Sequence, residues 1–304
     1  MQRHPYAVLG PGAIGGAVAG ALIEAGHEPL LAVRTRFESL VLTTPEMSLE
    51  AAVQTLHDPE QASPADLLFV AVKAHQTPLV QPWLDVLVDE STIVVILQNG
   101  VEHIERFKPL VAPEATLVPA VVSLPAIRSG PGRIEVSAAS RLTIPNGPGA
   151  AEVAAALEGS FITVVTADDW LSAAWTKLML NAASGGICVI AEAGNEIFAR
   201  DSEAAELAVA LMDEVAMVGR AEGALLADDL SQRIMDALLQ RAGGHLSSIV
   251  VDRRHGVPTE WDARNGVVQR LAARHGLEVP LNRLLTTLIR LGEPPAAGAP
   301  TEAE

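Results

Sequence analysis

Short apolar runs alternate with helical stretches through the first half of the chain, and only helical patterning continues beyond it. The runs are Tyr6–Leu9, Pro29–Val33, Leu67–Val72, Thr92–Leu97 and Leu117–Ser123. Leu67-Leu-Phe-Val-Ala-Val72 and Thr92-Ile-Val-Val-Ile-Leu97 are continuous and β-favouring, as strands buried on both faces of a parallel sheet are. The Ala-rich stretch Gly16–Ala25, closed by Gly26, predicts a helix. Phe37–Gln61 is polar and weakly patterned and predicts at most one short helix around Leu49–Leu56. Gly132–Ser137 and Arg141–Ile144 predict a strand pair, and Phe161–Val165 one more strand. The α/β alternation ends near Thr166.

A helix is expected from Asp168 or Asp169, either of which is a suitable N-cap, through Trp170, Trp175, Lys177 and Asn181. Gly185-Gly186 is expected to interrupt it. Further helices are expected at Ser202–Ala221, Asp228–Arg241, His245–Arg254, from near Thr259, and at Leu281–Leu291. The fold class is therefore α/β: a domain of alternating strands and helices over residues 1–166, then an all-helical domain over 167–292. The segment 293–304, rich in Pro and Ala, reads as a disordered tail.

Composition narrows the class. Hydrophobic residues are 49% and charged residues 19% of the 304, which suits a globular chain with sizeable cores. The net charge of −16 argues against nucleic acid and anionic membranes as partners. Cys188 is the only cysteine, so no internal disulfide forms and a reducing, cytoplasmic setting is expected. No signal peptide precedes Tyr6, and no apolar run approaches the roughly 18 residues of a membrane span. The eight histidines show no His-x-x-x-His pair, so no metal site is expected.

The candidate chemistry begins at Gly10-Pro11-Gly12-Ala13-Ile14-Gly15, between a strand and a helix. In that context Gly-x-Gly-x-x-Gly binds a dinucleotide, so residues 1–166 are expected to form a Rossmann-type dinucleotide-binding domain. The first Gly permits the turn, the second admits the pyrophosphate, and the third lets helix and strand pack closely. Gly10, Gly12, Ala13, Ile14 and Gly15 are the pyrophosphate candidates. About 20 residues on, where an acidic residue would accept from a ribose 2′-hydroxyl, stands Arg34, with Arg36 two residues later. An arginine pairs instead with a 2′-phosphate, so NADPH is expected over NADH.

Lys73 and Asn99 follow the two buried runs. The carboxyl ends of parallel strands are where open sheets bind ligands. A surface charge and a plain Asn-Gly turn are the alternatives. Lys177 and Asn181, four apart on one helix face, are polar within an otherwise apolar stretch. Such a lysine either snorkels to solvent or is held in a cleft for a purpose.

The order Gly-x-Gly-Ala-Ile-Gly, Val72-Lys73, Gln98-Asn99-Gly100, Trp175-Thr-Lys177-Leu-Met-Leu-Asn181, Ser247-Ser248 and Glu260 resembles the ketopantoate reductases, NADPH-dependent 2-dehydropantoate 2-reductases of pantothenate synthesis. The resemblance runs from Tyr6 to about Leu291, with a shortened segment between Arg36 and Asp66. It implies Lys177 as general acid and Glu260 as the carboxylate that positions substrate or Lys177. Asn181 and Ser248 would bind the substrate's carboxylate and hydroxyl, and Lys73 and Asn99 would serve the cofactor side, Asn99 also touching substrate. The partner implied is a small 2-keto acid; a homodimer is compatible with the helical pattern, which does not require it. One departure stands out. The family usually has a second Asn eight residues after the lysine, and here that position is Gly185, with Ser184 before it. A same-fold reductase of another 2-keto acid or ketone, and a noncatalytic NADPH-binding protein, are the alternative readings.

Overall fold

The computed structural model describes residues 3–240 and 246–294. The chain divides into two compact units, Met1–Trp170 and Leu171–Glu304.

The first unit alternates strands and helices. In chain order these are β1 (His4–Leu9), α1 (Ala13–Glu24), β2 (Leu30–Ala32), β3 (Ser39–Thr43), β4 (Ser48–Ala52), β5 (Gln54–Leu56) and β6 (Ala65–Val70). There follow α2 (Gln81–Leu87), β7 (Ile93–Ile96), α3 (His103–Phe107), β8 (Thr116–Pro119), β9 (Val121–Ser123) and β10 (Ala126–Gly130). The unit ends with β11 (Arg133–Val136), β12 (Ser140–Pro145), α4 (Ala150–Ala156) and β13 (Ile162–Ala167). Its main sheet is six-stranded, in the order β5-β2-β1-β6-β7-β8, with every pairing parallel. The order reverses between β1 and β6, and the crevice at the carboxyl ends of the strands at such a switch point is where doubly wound sheets bind dinucleotides.

Alternation along each strand builds two cores. Ala7, Leu9, Leu68, Val70, Val94 and Ile96 face one side, where Leu84 and Leu87 of α2 and Phe107 of α3 cover them. Val8, Phe69 and Val95 face the other, against α1. Helix α1 is buried from Gly15 to Leu22 because a second sheet, β10-β11-β3-β4, packs on its outer side. Its small residues make this possible. A Cβ on Gly16 would lie 2.6 Å from Ile134 of β11, and one on Gly20 would lie 2.7 Å from Leu42 of β3.

Two sequence expectations change in this unit. The segment Phe37–Gln61 holds no helix longer than one turn; it forms β3, β4 and β5. Thr44 turns the β3–β4 hairpin, its hydroxyl accepting from the N–H groups of Glu46 (3.2 Å) and Met47 (3.0 Å). Strand β4 is half-covered at best, so its Ser-Leu-Glu-Ala-Ala sequence lacks an apolar signal and is a strand only by pairing. The expected pair Gly132–Ser137 and Arg141–Ile144 is not a pair: β11 joins β10 and β3, whereas β12 joins β13 and β9 in a separate sheet. Period-2 patterning marks a strand without naming its neighbour.

The second unit is helical: α5 (Trp170–Ala191, starting one residue before the division), α6 (Ile197–Arg200), α7 (Ser202–Ala221), α8 (Leu230–Gln240), α9 (Ser248–Arg254), α10 (Val267–Arg274) and α11 (Pro280–Leu291). A π-helical segment, Asp262–Gly266, leads into α10. Gly185-Gly186 does not interrupt α5. Both glycines are buried within a continuous helix, and a Cβ on Gly186 would meet Leu285 of α11 at 2.6 Å. Tight packing outweighs the roughly 1 kcal/mol of helix propensity each glycine costs. Helix α5 is long and apolar enough to cross a membrane, contrary to the sequence expectation, but two-thirds (67%) of its most apolar window is buried inside the protein, as in a core helix. Glu293, the first residue of the expected tail, is held in place. The Glu293 carboxylate accepts from Thr259 N–H (2.9 Å), Thr259 hydroxyl (2.6 Å) and Arg253 (3.2 Å). Residues 295–304 lie outside the described residues, as do Arg241 and His245 at expected helix ends.

Candidate functional site

In the first unit the Gly turn joins β1 to α1. Gly10 has φ +82°, and a Cβ there would lie 2.6 Å from Val72. Gly12 N–H donates to Gly10 O (2.7 Å), closing the turn. A Cβ on Gly15 would lie 2.4 Å from Gly10 O and 2.9 Å from Ala71. Gly12 differs, since among the described residues nothing lies within 4 Å of where its Cβ would stand. The backbone is open there, beside Ala13, Ile14 and Gly15, whose N–H groups start α1 and have no carbonyl four residues back inside the helix. An open backbone surface backed by helix N–H groups suits a pyrophosphate.

Lys73 and Asn99 follow β6 and β7, and Gln98 ties their segments together. Its amide nitrogen donates to Val72 O (3.0 Å) and Thr77 Oγ1 (2.8 Å), while its amide oxygen accepts from Arg106 (2.8 Å). Lys73 and Asn99 are both half-buried there. Sequence reading passed over Gln98, whose only signal was a polar residue ending a buried strand. Arg34 is exposed just past β2. Arg36 joins it at the same sheet edge and donates to His57 Nδ1 from Nε (2.9 Å) and Nη2 (2.7 Å), beside a cavity of about 410 Å³ lined by Phe37, Glu38, Thr55, Leu56 and Gln61.

In the second unit Lys177, Asn181 and Gly185 share one face of α5 at four-residue spacing. The π-helical segment lies along this helix, held by buried Asn265, whose amide donates to Ala182 O (2.8 Å). Arg264 lies within this segment, and Glu260 lies two residues before it. Glu260 is 9% exposed and Arg264 4%. Ser248 starts α9 at an exposed position, and its hydroxyl accepts from Arg264 Nη2 (2.7 Å). The predicted residues Lys177, Asn181, Ser248 and Glu260 therefore lie with a further cation, Arg264, that sequence reading did not select.

These charges act on one another. Lys177 is pushed down to about 8, first by desolvation and then by the Arg264 guanidinium, with Glu260 opposing. Burial also lowers Arg264, against Glu260 and Asp252. Arg264 Nε and Nη1 and the Ser247 hydroxyl are buried with no hydrogen-bond partner among the described residues. Each buried polar atom left so costs on the order of 1–3 kcal/mol. A polar cluster this incompletely satisfied belongs to a binding site more readily than to a core.

Residues 6–149 match the family model Ketopantoate reductase PanE/ApbA, and residues 169–293 match Ketopantoate reductase PanE/ApbA C terminal. The chain is similar to the 2-dehydropantoate 2-reductase of Caulobacter vibrioides, 39% identical over 93% of this chain and 97% of the relative. It is 37% identical to that of Mycobacterium tuberculosis, over 93% and 96%. Among solved structures, a PanE/ApbA family ketopantoate reductase from Ralstonia eutropha JMP134 superposes with a TM-score of 0.87 at 30% identity, covering 95% of this chain and 98% of that one.

Proposed function

The chain belongs to the ketopantoate reductase family, and we propose that it reduces 2-dehydropantoate to pantoate with NADPH. The observation that carries this reading is a desolvated lysine, brought down to about 8, on one helix face with Asn181 and coupled to Glu260. NADPH, when bound, supplies the hydride that reduces C2 of the keto acid. As the carbonyl oxygen gains negative charge, the Lys177 ammonium stabilises it and transfers a proton from Nζ, which solvent later replaces. An amine near 8 gives up that proton far more readily than one at 10.5. Asn181 and Ser248 orient the substrate's polar groups, and Glu260 holds Lys177 and the substrate in position. Asn99 contributes both to cofactor and to substrate.

Gly10, Gly12, Ala13, Ile14 and Gly15 hold the pyrophosphate, Lys73 serves the cofactor, and Arg34 pairs with the 2′-phosphate. Arg34→Ala is expected to raise the KM for NADPH about tenfold while leaving that for NADH unchanged. An equal change in both would remove the 2′-phosphate role. The working compartment is the cytoplasm, which fits a lone, buried cysteine whose thiol is pushed up to about 11.

The reading is tested by following NADPH oxidation with ketopantoate and a panel of other 2-keto acids. Fast oxidation with ketopantoate alone supports it. Turnover of other keto acids without ketopantoate would shift the assignment to a different reductase on this fold, a second reading favoured by Gly185 in place of an amide side chain. NADPH binding with no turnover of any ketone would make it a binding protein.

A further inference from the structure

Gly185 and Arg264 explain one another. A Cβ on Gly185 would lie 3.4 Å from Arg264 Nη1, 3.6 Å from Ile249 and 3.9 Å from the Ser247 hydroxyl. The first atom of a side chain fits; a longer side chain on that face would run into the guanidinium. Arg264 thus brings its donors to the stretch of α5 that lies one turn beyond Asn181. Of its nitrogens, Nη2 is bonded to Ser248, while Nε and Nη1, like the neighbouring Ser247 hydroxyl, have no partner among the described residues.

We propose that Arg264 is the residue that grips the substrate's carboxylate, with Ser247 and Ser248 beside it, and that Gly185 is glycine to leave the guanidinium its place. This rests on the reading of the protein as a reductase of a 2-keto acid. A planar guanidinium takes a carboxylate through two parallel N–H···O bonds, which an asparagine amide cannot do. A carboxylate also supplies acceptors for donors the protein leaves unmatched. Because Ser248 is exposed, the Nη2 end of the guanidinium is the approachable one. An incoming carboxylate oxygen takes the place of the Ser248 hydroxyl on Nη2, and its second oxygen then reaches Nη1. A merely structural Arg264, tethering α9 to the π-helical segment through Ser248, would serve charged and neutral substrates alike.

The experiment compares ketopantoate with its neutral lactone in the parent protein, Arg264→Leu, Arg264→Lys and Gly185→Asn. Arg264→Leu is expected to raise the KM for ketopantoate about fiftyfold with kcat within about fivefold, and to change kcat/KM for the lactone less than about threefold. Arg264→Lys keeps the charge and should recover part of the loss. Gly185→Asn, which crowds the guanidinium, should raise the same KM about tenfold. Equal losses on acid and lactone, or an unchanged KM for the acid, would overturn the proposal. Calorimetric titration of pantoate onto the NADP-loaded proteins separates this from the functional reading. Pantoate binding that disappears in Arg264→Leu, in a parent that turns over no ketopantoate, would sink only the assigned reaction. Pantoate binding that is the same in both proteins, or absent from both, would sink the carboxylate grip. Should Arg264→Leu fail to fold, Arg264→Lys and Gly185→Asn carry the same comparison.

Discussion

Lys177→Ala lowers turnover of ketopantoate by about a hundredfold or more, with a smaller effect on KM, because it removes both the proton donor and the charge opposite the developing alkoxide. Loss of turnover comparable to that of a surface lysine variant would remove Lys177 from the chemistry. The pH profile follows from the same residue. Reduction needs the ammonium, so kcat should be flat below about 8 and fall tenfold per unit above it. Removing the neighbouring cation in Arg264→Leu should move that midpoint upward, since the Arg264 charge, after burial, is the second cause holding it down. Stability gives a second check with a definite sign. The folded protein releases this proton near 8 and the unfolded chain near 10.5, so the unfolded state binds more protons between those values. Holding the ammonium therefore costs stability at neutral pH, and the cost fades as the pH climbs through that window. Lys177→Met, which fills the space without the charge, should melt no lower than the parent at pH 7 while losing turnover. A large drop in Tm would mean the loss of activity reflects unfolding.

Gly12→Ala and Gly15→Ala should both weaken NADPH binding by about a hundredfold, for different reasons that a melting curve separates. A methyl at Gly12 meets no atom of the described residues within 4 Å, so it stands in the space the pyrophosphate needs, and the fold should be nearly as stable. A methyl at Gly15 would be 2.4 Å from the backbone oxygen of Gly10, which cannot yield without opening the turn. Gly15→Ala should therefore lose on the order of 2–4 kcal/mol of stability as well as the cofactor. Nucleotide fluorescence gives the affinity and thermal unfolding the stability. Tight NADPH binding by Gly12→Ala would place the pyrophosphate elsewhere.

Much of this was legible in the chain. Continuous β-favouring runs announced the parallel strands, and the turn at Gly10–Gly15 lay where strand, turn and helix were all readable. Lys177 and Asn181 stood out because two polar residues at helical spacing interrupt an apolar helix. The segment between Phe37 and Gln61 was misread because β4 and β5 bury little and carry almost no apolar alternation, leaving the short Leu40/Leu42 alternation of β3 isolated in a polar stretch. Gly185-Gly186 was misread as a break because local propensity outranks packing when only the sequence is seen; Leu285 and Asn265, which fill the space beside Gly186, are about 100 and 80 residues away. Arg264 was missed because nothing in Trp-Asp-Ala-Arg-Asn-Gly distinguishes a buried guanidinium from a solvated one.

By itself, then, the sequence determined the α/β class, the dinucleotide turn and the polar pair on α5, because each is written in residues close together in the chain. Only the tertiary structure decided which strands pair, that α5 runs unbroken, and that Arg264 and Ser247 come to lie against Gly185. Those outcomes depend on contacts between distant segments, where burial and the space left by a missing side chain, rather than residue type, set what each group does.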